Sequence, residues 1–147
     1  MNTQVCRSIK MEPEIKIRGY HTDQYRHVNN ARYLEFLEEG RWQLIEDHLD
    51  FESLMRQGYM FIAVNINVAY RKPARVNDIV VVQTGIGDIG NTSAVMKQRI
   101  VNRTTGAVCV EADVTFVVAD RNAKPVKLKG EIRKVLEMLP ELDKFKG

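Results

Sequence analysis

Two spacings of apolar residues alternate along the chain, and each change from one to the other marks an element. In "EIKIRGY", residues 14 to 20, Ile15, Ile17 and Gly19 alternate with charged neighbours. This is the period-two pattern of a strand, following a loose amino-terminal extension over residues 1–13 that ends at Pro13. From Asn30 to about Leu49 the spacing becomes helical: Tyr33, Leu34, Phe36, Leu37, Gly40, Leu44 and Ile45 share one arc, with Arg32, Glu35, Glu39 and Glu46 opposite. A glycine inside that arc costs about 1 kcal/mol of helix propensity, so a neighbouring backbone is expected to approach closely at Gly40. "FIAVNINVAY" returns to alternation, with Ile62, Val64, Ile66, Val68 and Tyr70 on one face and Ala63, Asn65, Asn67 and Ala69 on the other. Strands follow at 78–87, 92–102 and 107–120, separated by the reversal signals "DIGN" and "RTTG". A last amphipathic stretch, "GEIRKVLEML", places Ile132, Val135, Leu136 and Leu139 at helical spacing before Pro140 stops it.

Hairpin-linked strands make an antiparallel sheet with one apolar face, and one amphipathic helix is available to cover it. The predicted architecture is therefore α+β, a five- to six-stranded antiparallel sheet wrapped around one long central helix. At 147 residues this is a single domain, spanning residues 14–147. Such a layer leaves strand edges exposed and the sheet incompletely covered, and dimerisation would solve both.

Composition narrows the function classes. The net charge of +3 comes from interspersed acids and bases, with no basic block of the kind that binds nucleic acid. No apolar run approaches the ~18 residues of a membrane span, so no stable membrane association is expected. Cys6 and Cys109 lie far apart without metal-ligand spacing. Reduced thiols in a cytoplasmic protein, with no metal, disulfide or cofactor, are the expectation.

Chemistry concentrates in "YHTDQYRHVNNARYLEFLEEGRW", residues 20 to 42, where a polar loop runs into the amphipathic helix. The segment resembles the signature of the 4-hydroxybenzoyl-CoA thioesterase family of hotdog-fold acyl-CoA thioesterases, in which a loop of the form D-x-D-x-x-G-H-V-x-N precedes the central helix. "YRKPARVNDIV", with Pro73 and Asp78, is similar to the later strand and turn of the same family. Within it, the bacterial long-chain acyl-CoA thioesterase III branch is the nearest likeness, over roughly residues 14 to 138. Two positions depart from the pattern: His21 replaces a first acid and Arg26 replaces the loop glycine.

The resemblance implies hydrolysis of acyl-CoA, long-chain fatty acyl-CoA in particular, with no cofactor. It identifies Asp23 as nucleophile or general base and the Asn30 backbone N–H as the donor that polarises the thioester carbonyl. Elementary chemistry agrees that this junction suits the task, since amides at a helix start have no internal partner and the macrodipole adds partial positive charge. Asp23 also has a structural reading, as the acid of an Asx turn. His27 is a candidate to orient water, or else a histidine tied to backbone. Glu38 matches a position where some members contact substrate; a solvated helix face or a partner for Arg41 is the alternative. Arg71, Lys72 and Arg75 could meet the phosphates of coenzyme A or be solvated surface. Trp42 is expected at a subunit contact or under a loop, and Asn65 and Asn67 in cross-strand or interface hydrogen bonds. A hydratase reading lacks its histidine-phenylalanine pattern here. A hotdog module that binds an acyl thioester or a protein without catalysis is the alternative function.

Overall fold

The alternation read after residue 78 becomes three consecutive antiparallel strands, β3 (Ile79–Ile89), β4 (Ser93–Asn102) and β5 (Val108–Ala119), in a computed structural model that describes residues 12–142. β1 (Glu14–Lys16) and β2 (Met60–Tyr70) complete one antiparallel sheet of order β1-β3-β4-β5-β2. The helices are α1 (Asn30–His48), α2 (Phe51–Arg56) and α3 (Gly130–Glu137). Of the predicted amino-terminal extension, residues 1–11 and with them Cys6 lie outside the described residues. Pro13 already accepts a hydrogen bond from the Val82 N–H at 3.0 Å, so sheet pairing reaches back into it.

Regular alternation gives the sheet one buried face. Val82 sits opposite Ile100, Thr84 opposite Gln98, and Met96 opposite Val114, all beneath α1. Tyr33, Phe36, Leu37, Gly40, Leu44 and Ile45 are the buried arc of α1, as its periodicity predicts, and each large member contributes about 1.5–3 kcal/mol. Leu34 departs from the predicted arc and is 39% exposed.

Gly40 does mark a close approach, but to side chains instead of backbone. A Cβ there would collide with Val82 Cγ1 and lie 2.8 Å from Thr84 Oγ1. The contact lets Gln98, itself buried, donate to the Leu37 carbonyl at 2.8 Å and to Thr84 Oγ1 at 2.9 Å. This polar layer separates two apolar clusters, one around Tyr33, Phe36 and Leu37, the other around Leu44, Ile45 and Leu136 of α3.

Three sequence expectations change. The first strand is cut to three residues because Ile17 exchanges backbone bonds with Asp78 and Asn77, after which Gly19–His21 turns as a 3-10 helix. A bulge between Ala63 and Asn65 splits the predicted face of β2. Residues paired across antiparallel strands share a face, so Phe61 and Ala63 join Ile66, Val68 and Tyr70 on the inner side, opposite Val118, Phe116, Val114, Ala112 and Val110, while Ile62 faces outward with Val117. Strict alternation cannot reveal such a register shift. Finally, α2 interrupts the run between α1 and β2, begun by Asp50, whose side chain accepts from the Ser53 N–H at 3.0 Å.

Among the described residues no helix is long and apolar enough to cross a membrane.

Candidate active site

The polar loop folds back on itself as a small hairpin ahead of α1. Thr22 bridges Val28, the Asp23 N–H donates to the His27 carbonyl at 2.9 Å, and the Asn29 N–H donates to the His21 carbonyl at 2.9 Å. Turning the tip requires a left-handed residue, and Arg26 takes φ +61°. The glycine-type backbone of the resemblance is thus kept without glycine. Asn29 caps the helix, its Oδ1 accepting from the Ala31 N–H at 2.9 Å.

Asp23 is half-buried, and its Oδ1 accepts from the Tyr25 N–H at 2.8 Å and, more weakly, from the His27 N–H at 3.4 Å. The Asx-turn reading is therefore realised by one oxygen. Oδ2 accepts no hydrogen bond from the described residues, and Asp23 forms no ion pair with them. It stands about two strand residues, roughly 7 Å, out from the His21–Asn29 rung that abuts the helix start. Asn30 is the first residue of α1, and its backbone N–H donates to no group among the described residues. Its carbonyl accepts from the Tyr70 hydroxyl at 3.4 Å. A carboxylate oxygen of the loop and the first amide of α1 are thus both left without a partner among the described residues, groups of the two kinds that acyl transfer uses.

The surrounding residues hold this loop. His21 is buried against Phe36, with ring centroids 5.3 Å apart and edge to face. Its Nδ1 accepts the Arg18 N–H at 2.8 Å. Burial, reinforced by Arg32 and opposed by Glu35, pushes its pKa below the usual value. The His27 ring makes no hydrogen bond to the described residues; its backbone pairs with Arg75. Arg71, Lys72 and Arg75 are all exposed, and that pairing brings Arg75 beside the loop. Arg71 faces Glu111 at 3.9 Å. Behind them Tyr33, buried, accepts the Ala74 N–H at 2.9 Å, and desolvation raises its pKa to about 12.

Farther along α1, Arg41 donates to Gln98 Oε1 at 3.1 Å and forms no ion pair with Glu38, one of the alternative readings of that acid. Desolvation lowers its pKa, and the charge of Glu38 acts against that. Glu38 and Arg41 line a 160 Å³ cavity with Trp42, Ile45, Phe61 and Ala63. Trp42 is partly exposed, and its ring meets Phe51 of α2 edge-on at 5.2 Å. Asn65 and Asn67 stay exposed on the outer face, where they line a polar groove with Lys97 and Asp113. A larger cavity, 370 Å³, lies between the far end of α1, α2 and α3, and includes Leu49, Leu54, Tyr59 and Ile132. Neither the 160 Å³ nor the 370 Å³ cavity includes Asp23. Among the described residues no group of three His, Cys, Asp or Glu is placed to hold a metal.

Sequence reasoning missed Gln98 and Tyr70 as parts of this end of the molecule. Gln98 is legible in hindsight as an amide flanked by the inward apolar positions Ala94, Met96 and Ile100 of β4; Tyr70 carried no comparable signal.

A model of the thioesterase-like superfamily matches residues 17–144. The long-chain acyl-CoA thioesterase FadM of Escherichia coli (strain K12) is 41% identical over 130 residues, covering 88% of this chain and 98% of that protein. The acyl-CoA thioester hydrolase YbgC of Escherichia coli O6:H1 is 34% identical over 116 residues, 77% of this chain and 83% of its own. Among solved structures, the probable thioesterase YbaW of Escherichia coli superposes with a TM-score of 0.81 at 41% identity, covering 86% of this chain and 96% of that one.

Proposed function

The chain belongs to the thioesterase-like superfamily, and on that premise we propose that it hydrolyses fatty acyl-CoA, long-chain acyl-CoA in particular, to free fatty acid and coenzyme A. The observation that supports the reading is that an Asp23 oxygen in the loop leading into α1 and the Asn30 N–H at its first residue both lack a partner among the described residues.

In this reading the thioester carbonyl oxygen accepts from the Asn30 N–H, and negative charge developing on it is met by the positive end of the α1 dipole. Asp23 then acts in one of two ways. As nucleophile its carboxylate adds to the carbonyl carbon, the C–S bond breaks, coenzyme A leaves as the thiolate and takes up a proton, and water cleaves the mixed anhydride. As general base it removes the proton of a water that attacks the same carbon. Label found in Asp23 after a single turnover in heavy-oxygen water identifies the first route, because water attacking the Asp23 carbon of the anhydride is what places it there. His27 belongs to the same loop and is a candidate to orient the attacking water. Arg71, Lys72 and Arg75 are candidates for the phosphates of coenzyme A, and Glu38 for contact with the acyl chain.

A homodimer or homotetramer is part of the proposal. β2 is an edge strand with Val64 56% exposed and Ile66 40% exposed, a row of unpaired backbone that a second copy would complete. The start of α1 lies beside the end of this strand, at Tyr70, so a second copy there would also shield it from water. A cytoplasmic location belongs to the same reading, supported by Cys109 being a buried free thiol.

Asp23→Asn is the decisive substitution, because it keeps an Oδ1 acceptor for the loop while removing the charge. kcat on a long-chain acyl-CoA should fall by about 10²–10⁴ with thermal unfolding unchanged. Full activity in the variant refutes the role of Asp23. A parent protein that cleaves no acyl-CoA of any length would instead favour the non-catalytic binding module.

A further inference from the structure

Tyr33 stands in the first turn of α1, buried in the apolar cluster with Val28, Phe36, Ala74 and Cys109. Phenylalanine would fill the same space, so it is the hydroxyl that needs a reason. Burying it costs free energy unless hydrogen bonds replace those to water. Its oxygen accepts the Ala74 N–H at 2.9 Å, and the hydroxyl also hydrogen-bonds with the Cys109 thiol. Ala74 lies between β2 and β3, where no strand ladder serves its amide. It is fully buried, so its N–H depends on Tyr33 for a partner.

The carbonyl of Ala74 turns to the loop that carries Asp23. It accepts the Val28 N–H at 3.1 Å, and the next residue, Arg75, bridges His27. Within the loop Val28 bridges Thr22, and the His27 carbonyl accepts the Asp23 N–H at 2.9 Å. These bonds close a circuit. It runs from the first turn of α1 through the Tyr33 hydroxyl to Ala74, on to Val28, and back through the helix cap Asn29. The span beyond Ala74 is fixed as well: Asp78 Oδ2 accepts from the Arg75 N–H at 2.9 Å and from Asn102 Nδ2 at 2.8 Å, with Asn102 itself buried. Pairing as short as that between residues 27–28 and 74–75 is marginal by itself. The Tyr33 hydroxyl ties it to a packed helix.

We propose that Tyr33 is a positioning residue: through Ala74 and Val28 its hydroxyl holds the loop carrying Asp23 in a fixed place relative to the start of α1. The inference rests on the thioesterase reading for the reaction it serves. Displacing the carboxylate slows the chemical step, whereas binding of the rest of the acyl-CoA does not pass through the hydroxyl.

Two variants separate positioning from mere packing. Tyr33→Phe removes the hydroxyl and keeps the ring; Cys109→Ala removes the hydroxyl's other partner and keeps the bond to Ala74. kcat and KM on a long-chain acyl-CoA are read beside hydrogen exchange of residues 22–29, followed by mass spectrometry. Tyr33→Phe should lower kcat by about 10²-fold, the loss that a misplacement of roughly 1 Å produces, with KM near that of the parent and faster exchange in the loop. Cys109→Ala should lower the melting temperature and leave kcat, KM and loop exchange at the parent's values. If Tyr33→Phe does not fold, Asp78→Ala loosens the same span from its other end and should give the same loss of kcat and the same faster exchange. Parent kcat in the variant that loosens the span, or a kcat in Cys109→Ala that falls with its stability, overturns the positioning role and leaves hydrolysis through Asp23 standing. A parent that cleaves no acyl-CoA removes the hydrolase reading instead. Loop exchange then decides alone: faster exchange in Tyr33→Phe but not in Cys109→Ala supports the tether, and equal exchange overturns it.

Discussion

Arg26 holds a backbone conformation that an L side chain adopts at a cost of about 1–2 kcal/mol, φ +61°, at the tip of the loop that carries Asp23. Glycine removes that strain but enlarges the unfolded ensemble by ~0.4–1 kcal/mol. Arg26→Gly should therefore stabilise the protein by about 0.5–1 kcal/mol, read as a higher melting temperature; destabilisation would mean the arginine side chain holds the tip in place. A second residue-scale test uses a helix rule. Proline is well tolerated at the first helical position, and Asn29 already has the extended geometry a preceding residue needs, φ −63° and ψ 135°. Asn30→Pro deletes the amide assigned to the carbonyl while keeping α1. We expect kcat to fall by about 10²–10³ with far-UV circular dichroism unchanged, and normal turnover would exclude that donor. At this scale the sequence was informative because the motif fixed residue identities in advance. The conformation of Arg26 and the inward turn of His21 were hidden, since both depend on neighbours that meet only after folding.

Elements were legible where periodicity was long and unbroken. α1 and the hairpins of β3, β4 and β5 fall within one or two residues of their predicted bounds, because nineteen helical residues or ten alternating ones average out local exceptions. α2 has only six residues, too few for a period to show, and the bulge in β2 preserves alternation on each side while changing which side is which. Gly40 was recognised from its position alone, though the side chains that crowd it could not be named. Alanine at this position would gain about 1 kcal/mol of helix propensity, but its Cβ meets Val82 and Thr84 in a packed layer, where overfilling costs about 1–3 kcal/mol. Gly40→Ala should be net destabilising by up to about 2 kcal/mol in urea unfolding. A gain in stability would show that the layer yields easily and that α1 is mounted less rigidly than its packing implies.

Over the whole molecule, the sheet leaves β2 as its long unprotected border, beside the start of α1. If assembly occurs there, a charge introduced at the exposed bulge should repel the second copy. Val64→Lys is expected to shift sedimentation toward monomer and to lower activity in parallel; an unchanged oligomer would move the interface elsewhere. The bulge has one more consequence. Ala63 and Val64 together face Phe116, so β2 spends eleven residues on ten rungs. Val64 is thus a spare link: a homologous gene could lose that codon and every other β2 side chain would keep both its rung and its orientation, whereas a deletion elsewhere within the strand would reverse a stretch of it. Length variation among relatives, where it occurs in this strand, should collect at this joint.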